Sequence, residues 1–464
     1  MTLALRERLR SLRATELGGL AQDSTYVAIW QAAISIADLI QIALITRAVG
    51  LHEYGRLALV ISFVMLLGQF FDVRVGVAAT TFGSRKLVAG DLDGAAGVFQ
   101  LSYLIDALTG VLAFAVVAGF APLVGPHLVG NGGTWLILLY ALTLLVSTVD
   151  DSSISVLRLL DRFRLIAGYT VALEAARVGA VVAALAISKS LTSVLLALLA
   201  YDLATGVVAT TAAALTYKRR ARRSIRLRSL HRIDAAEKKA MLRTVLHTNL
   251  VSYARLAQQQ VPTVLLGALS GATQVGVYKV GTAAAAIVAR AADPVYAALL
   301  PRLSRLWGAG RVGDVRRLLA RATLVAAPVM AVILAALIAL RHPALELIGG
   351  SAARNAAVTV LVLAAIAQAV NGALFWNIGL LFAAGRAGGV AVVAVLGTLV
   401  QLGLVVPLAL FFDANGAAAA LLVSYTVTNA VATVLAIRAL GWPGQPAPTS
   451  VHPTPTSLDA RQVE

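Results

Sequence analysis

The chain has 464 residues, of which 59% are apolar and only 13% are charged, and its mean hydropathy is +0.84. A soluble protein carries charge on about a quarter of its residues, so the composition excludes a soluble globular domain and indicates a membrane protein. The formal net charge of +17 does not indicate nucleic-acid binding, because the cations lie in short gaps between apolar runs, and the lack of cysteine excludes disulfides and thiolate metal sites.

Apolar runs of about twenty residues follow one another along the chain, and this is the length that an α-helix needs to cross a bilayer. We therefore predict an all-α, multi-pass membrane protein with about twelve transmembrane helices. The runs lie near residues 25–47, 55–73, 98–120, 134–156, 165–187, 191–216, 245–269, 274–300, 320–340, 356–383, 388–412 and 415–438.

The predicted organisation places six helices on each side of a basic linker. Residues 1–24 form a cytoplasmic amphipathic helix, because Leu5, Leu9 and Leu12 recur at helical spacing beside arginines. The further predicted units are a first lobe at 25–216, a linker at 217–244, a second lobe at 245–438 and a disordered tail at 439–464. Lys and Arg fall in every second gap, and basic loops stay in the cytoplasm. Both termini are therefore predicted to be cytoplasmic.

The two halves show signs of an internal repeat. GLHEYG at Gly50 and GATQVG at Gly271 share two glycines at the same spacing, at an offset of 271 − 50 = 221. Tyr201 matches Tyr425 at an offset of 425 − 201 = 224. Because six spans separate the halves, we predict parallel repeats around an axis along the membrane normal. The expected architecture is two six-helix lobes around a central cavity.

The six histidines are scattered singly, with no metal-ligand spacing and no neighbouring serine or acid cluster. We therefore predict neither an enzyme nor a catalytic or metal site, and no bound cofactor.

Charged residues inside the spans are costly at about 2.5 to 3.5 kcal/mol each, and each is therefore a candidate functional residue. They concentrate in spans one, two, seven and eight, which we expect to wall a water-filled cavity. Arg255 is the strongest candidate for cargo binding, beside the polar run that contains Gln259, because it lies about ten residues into its span. A guanidinium is well suited to phosphate.

Acidic residues in the spans are candidates for ion coupling and gating. Asp38, Asp106 and Asp202 are predicted as unpaired acids that bind H⁺ or Na⁺, with Asp38 ranked first. Asp72 and Asp293 occupy equivalent inner ends and are predicted to form a conformational latch with loop arginines. Glu174 and Arg177 have the spacing of a structural ion pair within one helix.

Short motifs recur in a characteristic order, from about Ser24 to Arg438. They are GLHEYGRLAL, FDVRVG, LRLLDRFRL, LLGALSGATQVGVYKVG, LLPRLSRL, LLFAAGRAGG and DANGAAAA. In this order the chain resembles the polysaccharide-export flippases of the MOP superfamily, the relatives of the lipid II flippase and of MATE drug antiporters.

The resemblance implies a rocker-switch carrier in the bacterial inner membrane. Its cargo would be an undecaprenyl-pyrophosphate-linked oligosaccharide, such as an O-antigen or exopolysaccharide repeat unit, whose lipid tail stays in the bilayer. Membrane lipids and polysaccharide polymerase or export machinery would be its other partners. The residues that would contact pyrophosphate or acidic sugars are Arg255, Arg290, Arg47 and Lys279.

Three alternatives stay open. A MATE-like, cation-coupled multidrug antiporter has the same architecture but would use acids for organic cations, and the surplus of cations in the spans argues against it. A lipid II flippase has extra C-terminal spans for which twelve helices leave no room. A membrane-embedded polymerase or glycosyltransferase would have a large outer loop or a cytoplasmic acidic motif, whereas every outer gap of this chain is short.

Overall fold

The computed structural model describes residues 2–71, 75–221, 234, 238, 241–242 and 250–441. Over these residues it is all-helical and has no strand, which confirms the predicted fold class. The helices before the linker are α1 (Thr2–Phe71), α2 (Val75–Val88), α3 (Leu92–Leu128), α4 (Gly133–Ala141), α5 (Leu144–Leu159), α6 (Phe163–Ile187) and α7 (Leu191–Ala221). Those after it are α8 (Leu250–Ser270), α9 (Ala272–Gly308), α10 (Val312–Ala339), α11 (Arg341–Ala356), α12 (Val358–Ala373), α13 (Trp376–Ala383) and α14 (Ala387–Leu440).

Eight helical segments in the described part of the chain are long and apolar enough to cross a membrane. Two of them have 47 and 53 residues, more than twice the length of one crossing, and each is interrupted by one non-helical residue, Gly50 in α1 and Asp413 in α14. Division at these breaks gives ten crossings. Together with the more polar α8 and α9, the described helices accommodate the twelve predicted crossings.

The predicted domain boundaries remain predictions. Most of the basic linker and of the C-terminal tail lies outside the described residues, and so do the side chains before Thr25. The largest cluster of buried apolar side chains extends across both halves, and includes Leu57 and Leu59 of α1 and Leu266 of α8. The two halves are therefore packed against each other through a shared apolar core.

Backbone geometry recurs at the offsets that the sequence predicts or one residue from them. Gly50 and Gly271 have almost the same conformation, with φ/ψ of 85°/169° and 83°/173°, and each ends one crossing and begins the next. Further positive-φ residues recur as Gly90 with Gly310 and Gly130 with Gly350, each 220 positions apart, and as Asp161 with Gly385, 224 positions apart. The left-handed region is open mainly to glycine, so these matched turns support a repeated unit.

Equivalent residues of the two halves pack directly against each other. A Cβ atom on Gly55 would collide with the carbonyl oxygen of Ala272, and one on Gly276 would collide with that of Leu51. Both pairs of equivalent positions are 221 apart, as 276 − 55 and 272 − 51. Such a reciprocal contact arises only near a two-fold axis. The contact therefore supports the predicted parallel repeat and locates its axis between these glycines.

A side-chain contact lies beside the same axis. His52 Nδ1 and Thr273 Oγ1 are 3.0 Å apart and are also separated by 221 positions. The contact follows Gly50 and Gly271, at the end of the molecule that is predicted to face away from the cytoplasm. His52 and Thr273 are therefore a further pair of equivalent positions in contact beside the axis.

Replacement of Gly55 or Gly276 by alanine is expected to lower stability by about 1 to 3 kcal/mol, because an added methyl group in a closely packed contact forces the backbones apart. Thermal unfolding of the purified protein in detergent would measure the loss. The matched control is Gly119→Ala, since nothing lies within 4 Å of a Cβ atom there. Equal stability of the Gly55→Ala and Gly119→Ala proteins would contradict the close contact.

Candidate functional site

A polar cavity of about 610 Å³ lies in the second half, between α8, α9, α12, α13 and α14. Its carboxamide-bearing lining residues are Gln258, Gln259, Asn371, Asn377 and Asn429. Its hydroxyl-bearing lining residues are Tyr278, Thr282, Tyr296, Tyr425 and Thr428. Lys279, which is half-buried, is the one charged residue among the described residues that line the cavity. The described lining residues can therefore form many hydrogen bonds through uncharged groups, but only one of them carries a positive charge.

One wall of the cavity is a broken helix. The apolar segment Val358–Ala383 is divided between α12, which ends at Ala373, and α13, which begins at Trp376. Irregular backbone at membrane depth is stable only where it is covered by protein or lines a cavity. The break lies beside Phe375, whose ring is 6.3 Å from that of Tyr296 in an edge-to-face arrangement. The irregular backbone therefore belongs to the site.

Three asparagines hold the broken helix in place. Asn377 Oδ1 accepts the backbone N–H of Ile378 at 2.6 Å, and Asn377 Nδ2 donates to Asn429 Oδ1 at 3.1 Å. Asn429 Nδ2 donates in turn to Asn371 Oδ1 at 3.3 Å. Asn371 lies on α12 and Asn377 on α13, so Asn429 of α14 joins the two segments. Asn377 and Asn429 are buried, whereas Asn371 is exposed. Buried amides that are hydrogen-bonded to one another favour one local geometry.

Glutamines of α8 supply another part of the cavity wall. Gln258 Nε2 donates to Ser424 Oγ at 3.1 Å, and Ser424 Oγ donates to the carbonyl oxygen of Gly397 at 2.8 Å. The next residue, Gln259, is exposed. Gln258 is therefore held by α14, while Gln259 presents its amide to the cavity.

A charged cluster lies in the first half. Arg177 Nη2 is 2.8 Å from Asp38 Oδ1 and 2.7 Å from Glu174 Oε2. The Tyr201 hydroxyl donates to Glu174 Oε1 at 2.6 Å, and the guanidinium lies 5.1 Å from the centre of the Tyr201 ring. The side chains of Arg177 and Glu174 are only 12% and 4% exposed, whereas that of Asp38 is 43% exposed. One arginine therefore neutralises a buried acid and also binds a more accessible acid on another helix.

This geometry corrects one prediction and confirms another. Asp38 was predicted to be an unpaired acid, but Arg177 binds it. The sequence missed this pair because the partners lie 139 positions apart on different helices. The predicted Glu174–Arg177 pair is present. Asp202 lies within electrostatic range of Arg177 and Glu174, and Asp106 is buried on α3.

The remaining predicted site residues are distributed over several parts of the molecule. Lys279 and Gln259 line the cavity. Arg290 is half-buried and follows Lys279 by eleven residues on α9, which brings it back to the same face of the helix. Arg255 lies on α8 one turn before Gln259, with its side chain outside the described part of the chain. Arg47 is exposed and donates to the carbonyl oxygen of Glu346 at 3.0 Å, away from the residues that line the cavity.

The predicted latch is only partly described. Asp72 lies outside the described residues, and Asp293 lies on α9 with its side chain outside them. The two acids therefore remain a prediction.

The predicted cavity wall is only partly correct. Spans seven and eight line the cavity as α8 and α9, but α12, α13 and α14 complete it, and no residue of α1 is among its lining residues. The last spans were not predicted to line the cavity because their interiors contain no ionisable residue. Neutral amides such as Asn371, Asn377 and Asn429 are also costly in apolar surroundings. Asparagines inside apolar spans were thus the signal that could have located this wall.

Solved structures with the same architecture are membrane transporters. The lipid II flippase MurJ in an inward closed conformation is 12% identical, with a TM-score of 0.68, over 88% of this chain and 86% of that chain. A multidrug resistance MATE family transporter of the MOP superfamily, in an inward-facing conformation, is 14% identical, with a TM-score of 0.63, over 90% and 98%. A MOP superfamily transporter from Pyrococcus furiosus is 14% identical, with a TM-score of 0.57, over 91% and 95%.

The fold is thus that of the MOP superfamily transporters, as the sequence motifs predict. A family model described as "Polysaccharide biosynthesis protein" matches residues 20–307, more than half of the chain. The chain belongs to this polysaccharide biosynthesis protein family. No curated protein sequence matches it significantly.

Proposed function

We propose that this protein is a flippase for lipid-linked oligosaccharides. It translocates undecaprenyl-pyrophosphate-linked polysaccharide repeat units across the bacterial inner membrane by alternating access, with both of its termini in the cytoplasm. Membership of the polysaccharide biosynthesis protein family supports a sugar cargo, and the MOP fold supports transport rather than catalysis. The observation that carries the proposal is the chemistry of the cavity in the second half.

The cavity is suited to sugar hydroxyl groups. A carboxamide offers both a donor and an acceptor, as a sugar hydroxyl does, so the two bond in either direction. Aromatic side chains such as Tyr278, Tyr425 and Phe375 add apolar surface for the C–H faces of a sugar ring. The volume of about 610 Å³ lies within the range of small-molecule sites.

The anionic end of the cargo requires cations. Lys279 in the cavity, with Arg290 and Arg255 on the two adjoining helices, forms the proposed group for pyrophosphate or acidic sugars. Arg47 is left out of this group because its guanidinium is hydrogen-bonded to Glu346 at the predicted outer end.

Ion coupling is proposed for the first half, with H⁺ or Na⁺ as the coupling ion. Asp38 is the accessible acid, and Asp106 and Asp202 lie in the same half. Protonation or cation binding at Asp38 would weaken its bond to Arg177 and release α1 from α6. Asp72 and Asp293 are proposed to close the inner side by binding loop arginines. Transport that stays dependent on the ion gradient after the change Asp38→Asn would exclude Asp38 as the coupling acid.

One observation favours a second candidate function. The first-half cluster contains Asp38, Glu174 and Asp202 but only one described cation, Arg177. A surplus of acids suits an organic cation, as in a multidrug antiporter. Drug susceptibility of a strain that lacks the gene would separate the two functions, because a flippase is expected to leave it unchanged.

Replacement of Arg255 by alanine is expected to abolish surface polysaccharide while the amount of protein in the membrane stays the same, because α8 would lose a cation one turn before Gln259, which lines the cavity. Polysaccharide immunoblots and membrane protein blots of the same cells would measure both. Arg255→Lys keeps the charge and is expected to retain more activity. Wild-type polysaccharide in the alanine strain would remove Arg255 from the cargo path.

A further inference from the structure

The two halves have the same architecture but different chemistry at matched positions. At the offset of 221, Asp38 matches Gln259 and Ala58 matches Lys279. At the offset of 224, Glu174 matches Thr398, Arg177 matches Gln401 and Tyr201 matches Tyr425. The charged cluster of the first half therefore has an uncharged counterpart in the second half. Lys279, the cation that lines the second-half cavity, matches Ala58, which is a buried apolar residue.

In the first half, the polar groups of the charged cluster are bonded to one another. Arg177 is bound to both Asp38 and Glu174, and Tyr201 donates to Glu174. A cargo that used any of these groups would have to break a bond between charged groups, which are the stronger class of hydrogen bond. The first half is therefore poorly suited to bind uncharged hydroxyl groups.

In the second half, three of the matched residues line the cavity. Gln259 is exposed, and Tyr425 and Lys279 line the cavity. The matched Gln401 is fully buried, and neither polar atom of its amide has a hydrogen-bond partner among the described residues. It lies one turn from Gly397, where a Cβ atom would be 3.3 Å from Gln258 Nε2. A buried amide with unused hydrogen-bonding capacity thus lies next to the cavity wall.

We infer that the sugar part of the cargo binds in the second half alone, and that the first half makes no sugar contact. The inference rests on the proposed flippase function and deepens it. The ligand class is a polyhydroxylated sugar that is neutral or carries one acidic group opposite Lys279. Because one described lysine cannot balance a pyrophosphate, that group also requires Arg290 and Arg255, the proposed cations of α9 and α8. The second half would thus recognise the sugar, and the first half would couple transport to an ion.

The lack of native cysteine allows a direct test. Tyr425→Cys and its matched control Tyr201→Cys each introduce the only thiol of the chain. Cells that carry one variant would be treated with N-ethylmaleimide, with or without the glycosyltransferase that begins the lipid-linked oligosaccharide. A site that is nine-tenths occupied reacts about tenfold more slowly. We expect slower labelling at residue 425 only when cargo is made, and an unchanged rate at residue 201.

A second matched pair, Gln259→Cys and Asp38→Cys, covers the case in which a tyrosine variant does not fold. Protection at a first-half cysteine, or equal labelling of both halves with and without cargo, overturns the inference. The proposed function is tested separately by deletion of the gene. If deletion abolished surface polysaccharide and cargo protected a first-half cysteine from labelling, the flippase function would stand. Only the inference that sugar binds in the second half alone would be rejected. Normal polysaccharide on deletion would reject the flippase itself.

Discussion

Replacement of Arg177 by alanine is expected to destabilise the protein by about 3 to 5 kcal/mol, because removal of one partner leaves a buried charge without compensation. Glu174 would be left with only the Tyr201 hydroxyl in a side-chain environment that is 4% exposed. The yield of monodisperse protein and its unfolding temperature in detergent would measure the effect. Asp38→Asn is expected to cost much less, since the Asp38 side chain is 43% exposed and can be solvated.

The control is a double variant that removes both buried charges. In the double variant Glu174→Gln with Arg177→Gln, the amide at residue 174 can still accept a hydrogen bond from the Tyr201 hydroxyl. Stability is therefore expected to recover, while the ion pair with Asp38 is lost. If Arg177→Ala proved as stable as the wild type, the cluster would not be buried as described. If the double variant also transported normally, the link between Asp38 and Arg177 would have no part in coupling.

Replacement of Lys279 by glutamine is expected to slow transport by about tenfold to a hundredfold, since a hydrogen bond to a charged group contributes about 1.5 to 3 kcal/mol. Lys279 is the one charge among the described lining residues, so no neighbour in that lining can replace it. Surface polysaccharide per unit of membrane protein, followed after induction of the gene, would measure the rate.

Two controls accompany this prediction. Lys279→Arg retains a cation and is expected to recover part of the rate. Arg47→Gln removes an exposed cation that does not line the cavity, and it is expected to stay close to the wild type. A larger loss in Arg47→Gln than in Lys279→Gln would move the cargo path from the second-half cavity to the outer end of α1.

Composition and periodicity were sufficient for the fold but not for the pairing of side chains. Twenty-residue apolar runs and matched glycines at Gly50 and Gly271 follow from the bilayer thickness and from backbone geometry, both of which act locally. The Glu174–Arg177 pair was equally predictable from the sequence, because the helical period fixes which residues are neighbours within a helix. The bond from Arg177 to Asp38 depends on which helices pack together, and no spacing in one sequence determines that.

The cavity was only half predicted for a related reason. Lys279 and Gln259 were found because a charge or a polar run stands out in an apolar span. Asn371, Asn377 and Asn429 are single amides separated by apolar residues, and their role emerges only when three helix segments bring them together. Neutral polar residues in transmembrane helices thus need the same scrutiny as charged ones.

The reciprocal contact of Gly55 and Gly276 also limits which substitutions the two halves can accept at this point. Each glycine makes room for a backbone oxygen of the opposite half, and a backbone oxygen cannot be removed by mutation. Neither half can therefore acquire a larger residue at this point and be rescued by a smaller side chain in the other. The two halves differ in the chemistry of other matched positions, but at this pair each half requires glycine because of the backbone of the other.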